Sequence, residues 1–87
     1  MWKINRSYIG GKTKSKTFQS DNYNKDNKSE KFLSIRLLDD DKNVMFGGKS
    51  SDLYEGGDLP FEPLDYLQSL YGCTELQYKE DNKWKTL

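Results

Sequence analysis

Two tripeptides in this chain resemble the end of a phosphate-binding loop, GKS at 48–50 and GKT at 11–13. The complete loop has a further glycine five positions before its last glycine, and it leads directly into a helix whose N-terminus holds the phosphate. Asn43 and Arg6 stand where that further glycine would be. No helical pattern follows either tripeptide, so we do not expect nucleotide binding of this type.

An acidic run begins like a calcium-binding loop. Asp39, Asp41 and Asn43 place oxygen atoms on alternate residues, as such a loop does. The loop also needs glycine at its sixth position and glutamate at its twelfth, where this chain has Val44 and Ser50. The short polar side chains of the run suit a tight turn, because they bond their own backbone. We therefore interpret it as a hairpin turn.

The remaining candidate catalytic groups are few. The chain has no histidine, which excludes serine–histidine and cysteine–histidine catalysis and the usual nitrogen-ligated zinc site. Its one cysteine, Cys73, follows a glycine that would end a helix, where a buried thiol is expected. Glu55 with Asp58, and Glu62 with Asp65, are carboxylate pairs of a kind common on acidic surfaces. We expect no catalytic residue, no metal site and no cofactor, and hence no enzyme.

The elements that position these residues are short. Leu33, Ile35 and Leu37 alternate with less apolar neighbours, which is the period of a half-buried strand. After the acidic turn the apolar character returns at 44–46, and the glycine pair 47–48 is expected to end that second strand. This central hairpin is the best-defined element of the sequence.

The flanking segments complete the predicted fold. Strands are expected at 2–9 and 12–18, joined by the glycine pair 10–11. Pro63 and Gly72 mark the start and end of a helix in which Leu64, Leu67, Leu70 and Tyr71 share one face. Two more strands, at 74–79 and 84–87, follow. The sequence predicts one α+β domain over 1–87, with an antiparallel sheet of five or six strands, the order ββ-ββ-α-ββ and one helix packed on the sheet.

Composition limits the core and the location of the protein. An 87-residue chain buries only about 60–65% of its unfolded surface, and twelve aromatic residues without any alanine suggest that rings do most of the burying. The polar segment 19–30 is expected to be a mobile loop.

No apolar run suggests a signal peptide or membrane span, so we expect the protein to lie in the cytoplasm of a bacterial host cell. The lysine- and asparagine-rich composition is typical of low-GC bacteria, their phages and their plasmids.

Charge is balanced overall but divided along the chain. Residues 1–36 hold nine basic and three acidic residues, whereas residues 37–72 hold two basic and eight acidic ones. The basic part predicts a nucleic-acid-binding hairpin or, equally, an edge strand protected by lysines against pairing with another chain. Its candidate residues are Arg6, Tyr8, Lys12, Lys14 and Lys16.

The acidic part is either an ordinary solvated surface or a protein-binding face in which carboxylates meet a basic partner and aromatic rings act as anchors. Its candidate residues are Asp39, Asp40, Asp41, Asp52, Tyr54, Glu55, Asp58, Glu62 and Asp65. In size, composition and lack of catalytic groups the chain resembles the small proteins with which mobile elements inhibit host defence, anti-CRISPR proteins among them.

Three functions follow from these features. The first is a non-enzymatic inhibitor from a phage or other mobile element, whose partner is a host nuclease or another nucleic-acid-binding protein. The second is a nucleic-acid-binding module that uses the basic hairpin. The third is a structural or virion-associated assembly domain.

Overall fold

The structure, a computed structural model, describes residues 1–23 and 31–87. Within them one helix lies on a six-stranded antiparallel sheet whose strand order is β2-β1-β4-β3-β5-β6. The predicted α+β class and the order ββ-ββ-α-ββ are confirmed. The elements are β1 (Trp2–Ser7), β2 (Lys14–Gln19), β3 (Leu33–Leu38), β4 (Val44–Ser50), α1 (Glu62–Tyr71), β5 (Glu75–Glu80) and β6 (Lys83–Thr86).

The predicted hairpin of β3 and β4 forms the centre of the sheet. Ile35 and Leu37 are almost completely buried, as their alternation predicts. The expected end of β4 at its glycine pair is wrong, because the strand continues through Gly47 and Gly48 to Ser50. Both glycines are paired on two sides, with β1 and with β3. A contact from a distant part of the chain therefore overrides the local tendency of glycine to end a strand.

Gly48 is required by the way β1 approaches β4. A Cβ atom at this position would lie 2.0 Å from the Lys3 carbonyl oxygen and 2.8 Å from the Ile4 Cα. The register of β1 also shifts between Ile4 and Arg6, where Asn5 forms a bulge. Because of this bulge, Ile4 points toward the core while Arg6 points to the opposite side of the sheet.

Helix α1 begins and ends at the residues that its sequence predicts, to within one position. Pro63 lies in its first turn and is buried, and Gly72 follows its last residue in the left-handed conformation with φ 74°. Leu67 is fully buried, which stabilises the fold by roughly 2–3 kcal/mol. Leu70, expected on the same face, is 56% exposed, because it lies at the margin of the apolar stripe next to Tyr66.

The core is more aliphatic than its composition suggests. Among the buried hydrophobic residues only Trp2 and Phe46 are aromatic, so the expectation that rings do most of the burying is wrong. The other rings lie around the core rather than in it. Phe18, for example, contacts Tyr66 at 5.4 Å and Tyr71 at 6.0 Å, measured between ring centroids. Tyrosine favours such sites because its hydroxyl group keeps contact with water.

The outer hairpins form where the sequence predicts, but the first connection is longer than the expected two-glycine turn, since it spans residues 8–13. Gly10 and Gly11 both have positive φ and form a short 3-10 turn between β1 and β2. Asp81 and Asn82, also at positive φ, connect β5 to β6. Of the predicted mobile loop 19–30, residues 24–30 lie outside the described residues. At its start, Gln19 belongs to β2, and the buried Ser20 accepts a hydrogen bond from the Trp2 amide.

The two faces of the sheet differ. The helix side carries the core and α1. The other side, which we call the open face, has no helix or strand packed against it among residues 1–23 and 31–87. The open face carries Lys3, Arg6, Tyr8, Arg36, Gly47, Lys49, Gln77, Lys79 and Trp84.

Candidate functional site

Strand pairing arranges the open face in two rows across the sheet. In one row Arg6 and Arg36, the only two arginines of the sequence, both lie opposite Gly47. In the other row Lys49 lies between Lys3 and Ser34. These basic residues occupy the strand positions that alternate with core residues. The fold therefore collects, on one surface, cations that are far apart in the sequence.

Two aromatic rings lie beside the lysine row. Tyr23 and Phe32 contact each other with 5.9 Å between ring centroids. The Lys49 Nζ lies 5.6 Å from the Tyr23 centroid and 5.0 Å from the Phe32 centroid. The Lys3 Nζ lies 5.4 Å from the Tyr23 ring. These cation–π contacts hold the ammonium groups in place without neutralising their charge.

A third ring, Trp84 of β6, lies at the other end of the open face. The Arg36 guanidinium lies over it, 4.1 Å from the ring centroid, and the Lys79 Nζ is 6.0 Å away. Arg36 Nε donates a hydrogen bond to Gln77 Oε1 at 2.7 Å. The ring and the amide together fix the orientation of the guanidinium, and its terminal nitrogens form no hydrogen bond with the described residues.

No carboxylate in the described residues forms an ion pair with a cation of the open face. The recorded ion pairs join the N-terminus to Asp52, Lys42 to Glu75, and Lys85 to Glu80. Glu75 lies at the edge of the open face, and its pKa is lowered chiefly by the hydrogen bond from Lys42. None of these pairs includes Arg6, Arg36, Lys3, Lys49 or Lys79. The open face thus presents five positive charges that no carboxylate of the described chain neutralises.

The structure brings together only part of the predicted basic hairpin. Arg6 and Tyr8 lie on the open face, and the Tyr8 ring covers Gly47. Lys16 lies on the helix side, where its Nζ is 5.5 Å from the Phe18 ring, and Lys14 is two positions away on the same strand. Lys12 is exposed in the connection before β2. The lysine stripe and the Arg6–Tyr8 pair therefore point to opposite sides of the sheet.

The stripe fits edge protection well. β2 and β6 are the two edges of the sheet, and each carries two exposed lysines. Charged lysines on an edge strand discourage pairing with another chain. This arrangement disfavours assembly by edge-to-edge strand addition, while the assembly function itself stays a prediction.

The acidic turn is built around Asp39. Its carboxylate accepts hydrogen bonds from the backbone amides of Asp41 and Asn43, both at 2.9 Å, and from the Asn43 side chain at 3.3 Å. The bond from the Asn43 amide is the main reason why the pKa of Asp39 is lowered. The predicted hairpin turn is confirmed, and Asp39 is occupied in holding it. Asp40 and Asp41 remain exposed.

Two further acidic candidates also have structural partners. Asp52 is ion-paired with the N-terminal amine. Glu62, in the first turn of α1, accepts a hydrogen bond from Trp2 Nε1 at 3.2 Å. Both contacts connect β1 to the segment that follows β4, and both lower the number of carboxylates that are available to a partner.

The acidic candidates fall into two groups at opposite ends of the sheet. The turn at 39–43 precedes β4, whereas the others follow it, and the seven residues of β4 span roughly 20 Å. Tyr54 is 70% exposed, and Glu55, Asp58 and Asp65 are exposed near it in sequence. We call the second group, at 52–66, the acidic end. The predicted acidic surface is therefore not one continuous face.

Exposed apolar side chains accompany the acidic end. Leu59, Phe61, Tyr66 and Leu70 are between 39% and 56% exposed, in a segment that also carries Asp58 and Asp65. Exposed aromatic side chains are enriched at protein-binding surfaces. This surface belongs to the helix side and is distinct from the open face.

Cys73 is buried, as the sequence predicts. Its sulfur contacts the Met45 sulfur at 4.0 Å, and burial raises the pKa of the thiol to about 11. Among residues 1–23 and 31–87, no cluster of three acidic or cysteine side chains offers a metal site, and no helix has the length and apolar character to cross a bilayer.

Comparisons of the chain with protein-family models, with curated proteins and with solved structures gave no match.

Sequence reasoning missed most of the open face. Lys3, Arg36, Lys49, Lys79 and Trp84 were not among the predicted site residues. A local signal was present, since each of the first three alternates with core positions of a strand. The missing information was the strand order, which places β1, β4 and β3 side by side although residues 8–32 separate β1 from β3.

Proposed function

We propose that this protein is a non-enzymatic binding protein that recognises single-stranded nucleic acid through its open face. The observation that carries the proposal is the collection, on one sheet surface, of four rings and of five cations that form no ion pair with a carboxylate of residues 1–23 and 31–87. The rings are those of Tyr8, Tyr23, Phe32 and Trp84. Phosphates supply the matching negative charge, and unpaired bases supply the matching ring faces.

A single strand fits this surface better than a duplex. Base pairs in a duplex keep their faces stacked, so aromatic side chains cannot reach them. The grooves of DNA admit a helix or a two-stranded ribbon, whereas the open face is part of a six-stranded sheet. Flat sheets with exposed rings and cations are a recurrent way to bind unpaired bases.

Fluorescence anisotropy with a labelled oligothymidylate, measured over a series of salt concentrations, tests the proposal. Binding should weaken as salt rises, because phosphate contacts release counterions. With at most five phosphate contacts, the slope of log K against log salt should be no steeper than about −3.5. Absence of binding at low salt would contradict the proposal.

Two double variants form a matched pair for this experiment. Lys3→Gln with Lys49→Gln removes two charges from the open face, and Lys14→Gln with Lys16→Gln removes two from the helix side of the edge strand. The first should weaken binding about tenfold and the second much less. A larger loss of affinity with the second variant would favour nucleic-acid binding by the basic hairpin that the sequence predicts.

A protein partner at the acidic end is the second candidate function. In this candidate function the protein is encoded by a phage or other mobile element and inhibits a host nuclease or another nucleic-acid-binding protein. Four exposed carboxylates and the protruding Tyr54 ring support it. A basic groove would complement this charge, and the aromatic side chains would anchor the contact.

Charge reversal at each end separates the two acidic groups. Glu55→Lys with Asp58→Lys changes the acidic end, and Asp40→Lys with Asp41→Lys changes the turn while leaving Asp39 in place. Binding to a panel of purified bacterial nucleases, measured by salt-dependent co-elution, should be lost with the first variant and retained with the second. Retention with both variants would contradict this candidate.

A further inference from the structure

A trough crosses the middle of the open face. Arg6 and Arg36 lie on either side of Gly47, and neighbouring strands are about 4.8 Å apart, so the Cα atoms of the two arginines are about 10 Å apart. Gly47 itself carries no side chain, and the Tyr8 ring lies over it. The trough has a volume of about 940 Å³, which lies within the range of small-ligand sites.

The ends of the trough differ in chemistry. At the Gly47 row its lining includes Arg6 and Arg36. Toward the hairpin turn the lining includes Tyr8, Ile9 and Val44. The turn itself adds Asn43 and Asp39, whose carboxylate is held by the backbone amides of the turn. The Tyr8 ring lies between these ends, with its edge 3.4 Å from where a Gly47 Cβ would be. The trough therefore offers a cationic end beside an aromatic and apolar end.

The cationic end is preorganised. Gln77 and Trp84 fix the Arg36 guanidinium, and Arg6 is exposed on the neighbouring strand. No carboxylate in the described residues pairs with either arginine. The two arginines belong to the strands on either side of β4, and each guanidinium group retains N–H donors for a phosphate oxygen.

We propose that the trough holds one unpaired nucleotide of the bound strand. Arg6 and Arg36 contact the phosphates on either side of it, and its base lies against the Tyr8 ring. This inference rests on the proposed nucleic-acid function and adds a specific subsite to it. A base that remains paired and stacked in a duplex cannot enter the trough.

The variant Gly47→Val tests the trough by displacing the Tyr8 ring that lies over Gly47. Valine suits a strand, and a Cβ at this position meets only the Tyr8 ring, so the fold should be retained. Affinity for an oligothymidylate at low salt should fall about tenfold or more, since stacking of one base on a ring contributes roughly 1–3 kcal/mol. A blunt duplex of the same length should bind more weakly than the single strand to the wild-type protein.

Arg36→Lys is a second variant that keeps the charge and leaves the trough open. It should also weaken single-strand binding, by about fivefold, because lysine cannot donate through a planar fork. If both variants bind the single strand within twofold of wild type while Lys3→Gln with Lys49→Gln binds more weakly, the nucleotide subsite in the trough is contradicted. The open-face proposal then stands. Equal binding of duplex and single strand would overturn the claim that the nucleotide is unpaired. If wild type binds no oligonucleotide, both proposals fail.

Discussion

Gly47 and Gly48 are neighbours in β4 with different roles. Gly48 allows the β1 backbone to approach closely, as the 2.0 Å separation between its missing Cβ and the Lys3 carbonyl oxygen indicates. Gly47 lies between the two arginines on the open face and leaves room for the Tyr8 ring that covers it. One glycine is therefore needed for the fold, and the other for the shape of the proposed site.

This difference predicts opposite results for alanine at the two positions. Gly48→Ala forces β1 away from β4 and should lower the free energy of unfolding by about 2–3 kcal/mol, as overpacking does. Gly47→Ala should change it by no more than about 1 kcal/mol, because its Cβ makes an ordinary contact with Tyr8. Urea denaturation followed by circular dichroism measures both. Equal destabilisation would contradict the distinction.

Asp39 predicts a pH dependence of stability. Its folded pKa lies below the ordinary value of 3.8, so its contribution is complete above that value and is lost as the pH falls through the folded pKa. Asp39→Ala should therefore lower the melting temperature at pH 7, and the difference from wild type should narrow in strongly acidic buffer. Asp40→Ala, in the same turn, serves as the control and should have little effect at pH 7. A difference that is independent of pH would contradict this account.

Cys73 should be chemically inert in the folded protein. Burial is the main reason that its pKa rises to about 11, and the negative charge of Asp39 adds to it, so the thiol stays protonated at neutral pH. Iodoacetamide at pH 8 should label it slowly in buffer and rapidly in denaturant, as mass spectrometry can measure. Fast labelling of the native protein would show that the segment after α1 opens readily.

At the scale of elements, the stability of helix α1 depends on how its ends are capped and packed more than on its length. It has ten residues, which is short for a helix that is stable by itself, so packing and capping must hold it. Gly72 ends it in the left-handed conformation, and its amide donates to the Gln68 carbonyl oxygen at 3.0 Å. At the other end, Glu62 connects the helix to Trp2.

The helix end provides a quantitative prediction. No atom lies within 4 Å of a Cβ added at Gly72, so Gly72→Ala would suffer only from its positive φ. It should lower the free energy of unfolding by about 1 kcal/mol, the usual difference between glycine and alanine in that conformation. Gly56→Ala is the control, since that loop glycine has neither a positive φ nor a close neighbour. Thermal denaturation of the two variants gives the comparison.

The elements differ in how far the sequence predicts them. Alternation fixes β3, and Pro63 with Gly72 fixes α1, because these signals are local. The continuation of β4 through its glycines could not be predicted, since its cause is the approach of β1 from a distant part of the chain. The same holds for Glu62, whose partner Trp2 is 60 residues away in the sequence.

The candidate sites follow the same rule. Arg6 and Tyr8 were predicted as site residues, but their neighbours on the open face come from β3, β4 and β6. The lysine stripe of β2 is local and easily recognised, yet it points to the other side of the sheet. Sequence reasoning could identify basic residues, whereas the direction of each side chain depends on the bulge in β1 and on the strand order.

At the scale of the whole molecule, charge separates by face as well as by sequence. The open face is basic, and the acidic end lies on the helix side with α1. The overall charge of zero hides this polarity. A protein of this kind can bind nucleic acid on one side and still present a different, acidic surface to a protein on the other.

The two tryptophans report on the two sides separately. Trp84 lies on the open face beneath Arg36, and the Trp2 indole donates to Glu62 on the helix side. A nitrogen–proton correlation spectrum of the labelled protein should contain one indole signal from each. Trp84→Phe removes one signal and so assigns both.

Titration of this sample with an oligothymidylate at low salt tests the central claim most directly. We predict that the Trp84 indole signal shifts progressively while the Trp2 signal stays in place, because the strand binds to the open face. A shift of Trp2 with Trp84 unchanged, or no shift of either signal, would contradict the account.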